Sequence, residues 1–123
     1  MPTEEIDRDK WAGFLESFSL QHQGWLVTIE VMGADIGAQV ESTDLPLQGI
    51  TADLKGSDAP SISIMVGEKA DDHVTHTIHG PTVVRLRQNE QGADEALEIE
   101  SAAETTIVRF RSAMRAEMVD GIL

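Results

Sequence analysis

Three of the four histidines of this chain fall within seven positions, in the segment HVTHTIH at 73–79. Histidine titrates near neutral pH and is a common zinc ligand, so the segment raises two chemistries, acid–base work and metal binding. A zinc site draws its ligands to about 2.0–2.1 Å from one ion. On a helix, spacings of three and six residues would bring three imidazoles roughly to one side. The residues between them, Val74, Thr75, Thr77 and Ile78, are all β-branched and specify a strand instead. Neighbours on a strand alternate faces. His73 and His79 then share a face with Thr75 and Thr77, about 20 Å apart at ~3.3 Å per residue, while His76 points the other way, between Val74 and Ile78. The three are not expected to share one ion, and no metal or other cofactor is expected. His76 stands out because its face is apolar. It is expected either as a half-buried imidazole satisfied by a hydrogen bond, or as a pH-sensitive, ligand-contacting group in a barrel mouth. Asp71 and Asp72 precede the strand and are placed to pair with His73. Their loop, EKADDH, lacks the glycine and the spacing of a calcium loop.

A second pattern lies near the C-terminus. VVRLR sets Arg85 and Arg87 on one face and Val84 and Leu86 on the other; ALEIE does the same with Glu98 and Glu100 against Leu97 and Ile99; IVRFR with Arg109 and Arg111 against Val108 and Phe110. If the strands are sequential neighbours, the glutamate strand lies between the two arginine strands. Cross-strand pairs then run plus, minus, plus, each contributing about 0.2–1 kcal/mol. The plain reading is a solvated face that sets strand register. The functional reading is an interaction face in which Arg85, Arg87, Arg109 and Arg111 bind an anion or an acidic partner. The carboxylates between them oppose that reading, because they occupy the guanidinium forks.

Motifs with stronger chemical meaning are absent. The chain has no G-x-S-x-G, no phosphate-binding loop, no G-x-G-x-x-G after a strand and no H-E-x-x-H, and it lacks both cysteine and tyrosine. No catalytic residues are assigned. Its net charge of −13 repels phosphate backbones and anionic lipids, so neither nucleic acid nor membrane is an expected partner. The five aromatic residues, Trp11, Phe14, Phe18, Trp25 and Phe110, all fall on core-facing positions, which leaves none for stacking on bases or sugars. No run approaches the roughly 20 apolar residues of a membrane span, and the acidic start, MPTEEIDRDK, is unlike a signal peptide. A cytoplasmic location is the default expectation.

The elements that position these residues are legible from periodicity. Residues 8–22 form one helix, with Trp11, Phe14, Leu15 and Phe18 as its apolar stripe. Asp7 is placed as its N-cap, Ile6 and Trp11 as a hydrophobic staple, and Gly24 as its stop. Period two then takes over at 25–32, 38–42, 47–54, 61–66, 73–79, 82–88, 94–100 and 105–111. Gly49, where the alternation changes phase, marks a β-bulge. No helix-length segment separates two strands, so parallel crossovers are disfavoured. A single domain over 1–123 is expected, mainly β within the α+β class. Its architecture is an antiparallel meander of about eight strands forming a barrel or sandwich, with the amphipathic helix packed on it. The strand at 105–111 is expected either to close onto 25–32, completing a barrel, or to pair with a second subunit. The tail, SAMRAEMVDGIL, is expected to add one helical turn that docks Met114 and Met118.

The helix followed by GWLVTIEV, then LPLQGITADLKG, HVTHTI, ADEALEIES and MVDGIL, resembles a family of small bacterial single-domain proteins catalogued as a domain of unknown function. The likeness spans nearly the whole chain through segment order. It implies a bacterial, stand-alone soluble domain and carries over no functional residues. The expected function is a non-enzymatic binding or interaction domain that forms a homo-oligomer, a dimer in the simplest case. A small-ligand-binding β-barrel and an enzyme built around His76 with carboxylates are the alternatives.

Overall fold

A computed structural model describes residues 3–33, 37–54, 60–68 and 73–110. The helix begins as a 3-10 turn over Arg8–Lys10 and continues as α1, Trp11–His22. Asp7 precedes it in extended conformation and its carbonyl accepts Lys10 N–H at 2.9 Å, but its side chain makes no capping bond. Trp11, Leu15, Phe18 and His22 are buried, along one side of the helix. Phe14, expected among them, is only half-buried. The indole of Trp11 donates to Ile6 O at 2.9 Å, so the staple pair is also joined by a hydrogen bond. Gly24 ends the helix at φ +89°, a backbone region that a residue without Cβ enters at little cost. Its N–H then bonds Leu47 O at 2.8 Å, which ties the end of the helix to the sheet. Ser19 makes a second tie. Its Oγ donates to Leu15 O at 2.7 Å and accepts from Ile50 N–H at 2.8 Å.

Eight strands form one antiparallel sheet: β1 Thr3–Ile6, β2 Leu26–Gly33, β3 Gly37–Asp53, β4 Ser61–Val66, β5 Val74–His79, β6 Pro81–Gln88, β7 Asp94–Ser101 and β8 Glu104–Phe110. Their spatial order is β1-β6-β7-β8-β2-β3-β4-β5. Two meanders, β2 to β5 and β6 to β8, are thus joined where β8 pairs with β2, from Val27↔Phe110 to Gly33↔Glu104. The expected contact of 105–111 with 25–32 is present.

The sheet does not close into a barrel. Nor does 73–79 lie beside 82–88, as an uninterrupted meander would place it. Only Gly80, at φ +67°, separates β5 from β6, and a tight hairpin requires about two loop residues. The chain therefore leaves one layer and enters another instead of turning back on itself. The outer side of β6 is taken by β1, with Glu5 opposite Arg85. This acidic four-residue strand lacks the alternation that marks the others, and its pairing is not visible locally. The architecture is a curled sheet or sandwich.

The segments 38–42 and 47–54 are one 17-residue strand, β3. It pairs with β2 through Pro46 and with β4 from Leu47 onward. The hand-over carries a register shift between Leu47 and Gly49, where the bulge was expected. Asp44, at φ +51°, adds a bend just before it. These irregularities let one strand serve both layers.

Between the layers lies one core in which Leu15, Val27, Ile29, Leu47, Ile62 and Ile64 are fully buried. Arg111 and the tail with Met114 and Met118 lie outside the described residues, as do Asp71 and Asp72. The two helix phenylalanines separate the buried from the half-buried side of α1. Phe18→Ala is expected to cost about 3–5 kcal/mol, as for a core phenylalanine, and Phe14→Ala clearly less; urea unfolding of the two variants measures the difference.

Candidate functional site

The histidine strand has the expected parity. β5 pairs with β4 in the register Val74↔Val66, His76↔Ile64 and Ile78↔Ile62. These three residues face the core, with Ile78 buried and Val74 and His76 half-buried. Thr75 and His79 are exposed on the other face, and His73, immediately before the strand, is exposed as well. His76 does not stand alone: its Nε2 lies 3.3 Å from the hydroxyl of Thr106, a residue of β8 only 1% exposed. This contact crosses from the end of one meander to the other. Among the described residues, no group of three or more His, Asp or Glu side chains is assembled around a common point where a metal would sit. β5 is the last strand in the order, and among the described residues nothing pairs with its outer edge.

The charged face is broader than three strands. Arg85 reaches Glu100, and lies 3.9 Å from Glu98; Arg87 reaches Glu98. Arg109 turns away from β7. It lies opposite Ala96 and pairs at 3.2 Å with Glu30 on β2. With Glu5 of β1 opposite Arg85, the signs alternate minus, plus, minus, plus, minus across β1, β6, β7, β8 and β2. Glu98 is 8% exposed, held between two arginines. The Arg85 guanidinium is pushed up from its ordinary value, first by its hydrogen bond to Glu100 and then by the charges of Glu100, Glu5 and Glu98, against the cost of burial. The three described arginines of this face thus already hold carboxylates. Glu5 and Glu30 escaped the sequence reading because their strands are distant in the chain from those they pair with.

His22, which the sequence reading left aside, is the most enclosed titratable group among the described residues. It is 3% exposed. Its ring stacks on Phe110 at 4.8 Å, lies 4.2 Å from Phe18 and meets Trp25 edge-on at 4.6 Å. Nδ1 sits 2.8 Å from Phe18 O, and Nε2 sits 2.8 Å from Asp94 Oδ2. Both partners are acceptors. A neutral imidazole has one N–H and satisfies one of them; the imidazolium satisfies both. Asp94 also accepts from Gln88 Nε2 at 2.8 Å. A turn in which Asn89 Oδ1 takes the N–H groups of Gln91 and Ala93 sets Asp94 at the start of β7. The Asp94 carboxyl is held below the usual carboxylate range, first by its hydrogen bond to His22, against desolvation, and with help from Gln88. With the imidazole enclosed, this pair serves as a clamp between the end of α1 and β7. Removing the Asp94 carboxylate leaves the enclosed His22 Nε2 without this partner.

Two outcomes follow. A carboxyl with a lowered folded pKa contributes stability that is present above the unfolded value, about pH 3.9, and is lost as pH falls through the folded one. Asp94→Asn is therefore expected to cost about 1.5–3 kcal/mol at neutral pH, with the gap to wild type closing below pH ~4 in urea unfolding at a series of pH values. A double-mutant cycle on Arg87→Ala and Glu98→Ala should give a coupling of about 0.2–1 kcal/mol that shrinks in high salt.

No curated protein and no solved structure matches the chain. A family model does, over residues 2–119, with a span that takes in both meanders, the helix and the β5 edge. The chain belongs to this family of unknown function, DUF5335.

Proposed function

We propose that this chain is a non-enzymatic interaction domain, bacterial and cytoplasmic, that works as a homodimer through an open edge of its sheet. The observation that carries this reading is the contrast between the two ends of the strand order. β1 carries Glu4 and Glu5, and charge on an edge strand discourages further pairing. β5, Val74–His79, carries no Asp, Glu, Lys or Arg. Its backbone edge has no strand beside it among the described residues. A chain of net charge −13 repels its own copies over most of its surface, so an uncharged edge is where two copies approach at least electrostatic cost. An exposed strand edge is also a general docking element for an extended partner, because its free N–H and C=O groups bind main chain.

Other features support the same reading. The titratable groups that the fold brings together are engaged with each other: His22 with Asp94, Arg85 and Arg87 with Glu98 and Glu100, and Arg109 with Glu30. Among the described residues no helix is long and apolar enough to cross a membrane. The net negative charge disfavours nucleic acid as a partner.

Light scattering and sedimentation equilibrium test the reading. The wild-type chain is expected to be a dimer. Thr75→Glu/Thr77→Glu places charge on the β5 edge and should weaken association at least tenfold, while circular dichroism and thermal unfolding show the monomer fold retained. A wild-type monomer, or a double variant that associates like wild type, would contradict it.

A further inference from the structure

The β5 edge has a symmetry that its pairing with β4 does not use. Read in either direction from His76, the segment 73–79 meets threonine, then a β-branched aliphatic residue, then histidine. Strand parity divides β5 into an outer row of Thr75, Thr77 and His79 and an inner row of Val74, His76 and Ile78; His73, exposed and immediately before β5, completes the symmetric outer row when the strand is extended by one residue. A strand with this pattern matches a second copy of itself. When two antiparallel copies meet about a two-fold axis perpendicular to the sheet, each face continues into the same face of the other copy. With the axis through His76, Val74 meets Ile78 of the partner subunit, Thr75 meets Thr77 of the partner subunit, and His73 meets His79 of the partner subunit. Threonine pairs and aliphatic β-branched pairs are favourable cross-strand neighbours. This register also brings no formal charge opposite a like charge, in a chain whose net charge is −13.

We propose, resting on the reading of β5 as the docking edge, that two copies pair through β5 in this register. The outer face of the seam then holds two His–His pairs that bind a late divalent transition-metal ion such as Zn2+. Within one chain the outer histidines are too far apart to chelate, about 20 Å along the strand. Across an antiparallel pair, opposed residues lie about 4.5–5.5 Å apart at Cα, and two imidazoles from that spacing converge on one ion, with water completing its shell. His73 and His79 are exposed, so neither must be freed from the core to bind. His76 faces inward with its Nε2 at Thr106 and takes no part in the outer sites. The metal tightens a dimer that backbone hydrogen bonds already form.

The experiment is association measured by sedimentation with and without Zn2+, together with isothermal titration of Zn2+ into the full chain. Wild type should bind one Zn2+ per chain. Its dimer should tighten at least tenfold and return to the starting value with a chelator. Each site takes one His73 and one His79 from different subunits, so His73→Ala alone and His79→Ala alone should each abolish the response, while His76→Ala should keep it. Mixing the His73→Ala and His79→Ala chains restores one complete site per mixed dimer, and the Zn2+ response should return with one ion per mixed dimer against two per wild-type dimer. A Zn2+ response that survives in either single variant, or a mixture that stays unresponsive, would overturn the metal site and this register. Loss of dimer in Thr75→Glu/Thr77→Glu would still uphold the docking edge in that event. If that double variant dimerises normally, the edge reading itself falls.

Discussion

The pairing of β8 with β2 is the contact on which the rest of the molecule depends. It joins residues about eighty positions apart and makes one sheet out of two local meanders. Once it is made, Phe110 stands beside Val27, close to Trp25, and completes the aromatic enclosure of His22. Thr106 is placed beside Val31 on the inner face, where His76 reaches it. Glu30 arrives next to the strand of Arg109. The same pairing leaves β1 and β5 as the two ends of the strand order. Such a contact closes a long loop and lowers free energy only when the apolar faces it joins are buried together. Here Val27, Ile29 and Val108 are fully buried along the seam.

Charge is distributed to suit that sheet. The three described arginines of β6 and β8 are surrounded by carboxylates on their own and neighbouring strands. Alternation of sign across five strands lets long side chains lie over one another, and their stems cover apolar atoms below; Ala96 and Ile107, on the same face, are 0% and 4% exposed. The arginine face is thus better understood as a fitted lid on the sheet than as a basic patch. Excess negative charge falls elsewhere, which makes an uncharged edge strand stand out more than it would in a neutral protein.

One enclosed polar pair fastens the helix to the sheet. His22 and Asp94 join the last turn of α1 to the start of β7, at a place where Gly24 and Leu47 also tie the helix to the sheet. A hydrogen-bonded pair of this kind contributes modestly to net stability, because its partners give up water to form it, but it is demanding about geometry. It holds the end of the helix in one position against the aromatic residues around it.

Local chemistry made much of this legible in the chain itself. Period-two alternation identified the face of nearly every residue on β2 and β4 to β8, the 3.6-residue period identified the buried side of α1, and Gly24 and Gly49 marked the helix stop and the bulge. The β-branched residues around His76 were sufficient to separate the three histidines of β5 and to place His76 inward. What the alternation does not contain is the identity of each strand's neighbour. The same inward and outward pattern is compatible with a closed barrel, with β5 beside β6, or with the observed order, because face is a property of one strand and adjacency a property of two. Phe14 lost part of its burial, β1 was recruited to the edge of β6, Arg109 exchanged the glutamates of β7 for Glu30, and His22 met Asp94 for this reason. Each depends on a long-range pairing whose free energy comes from the assembled core, and that term exists only once the whole chain has folded.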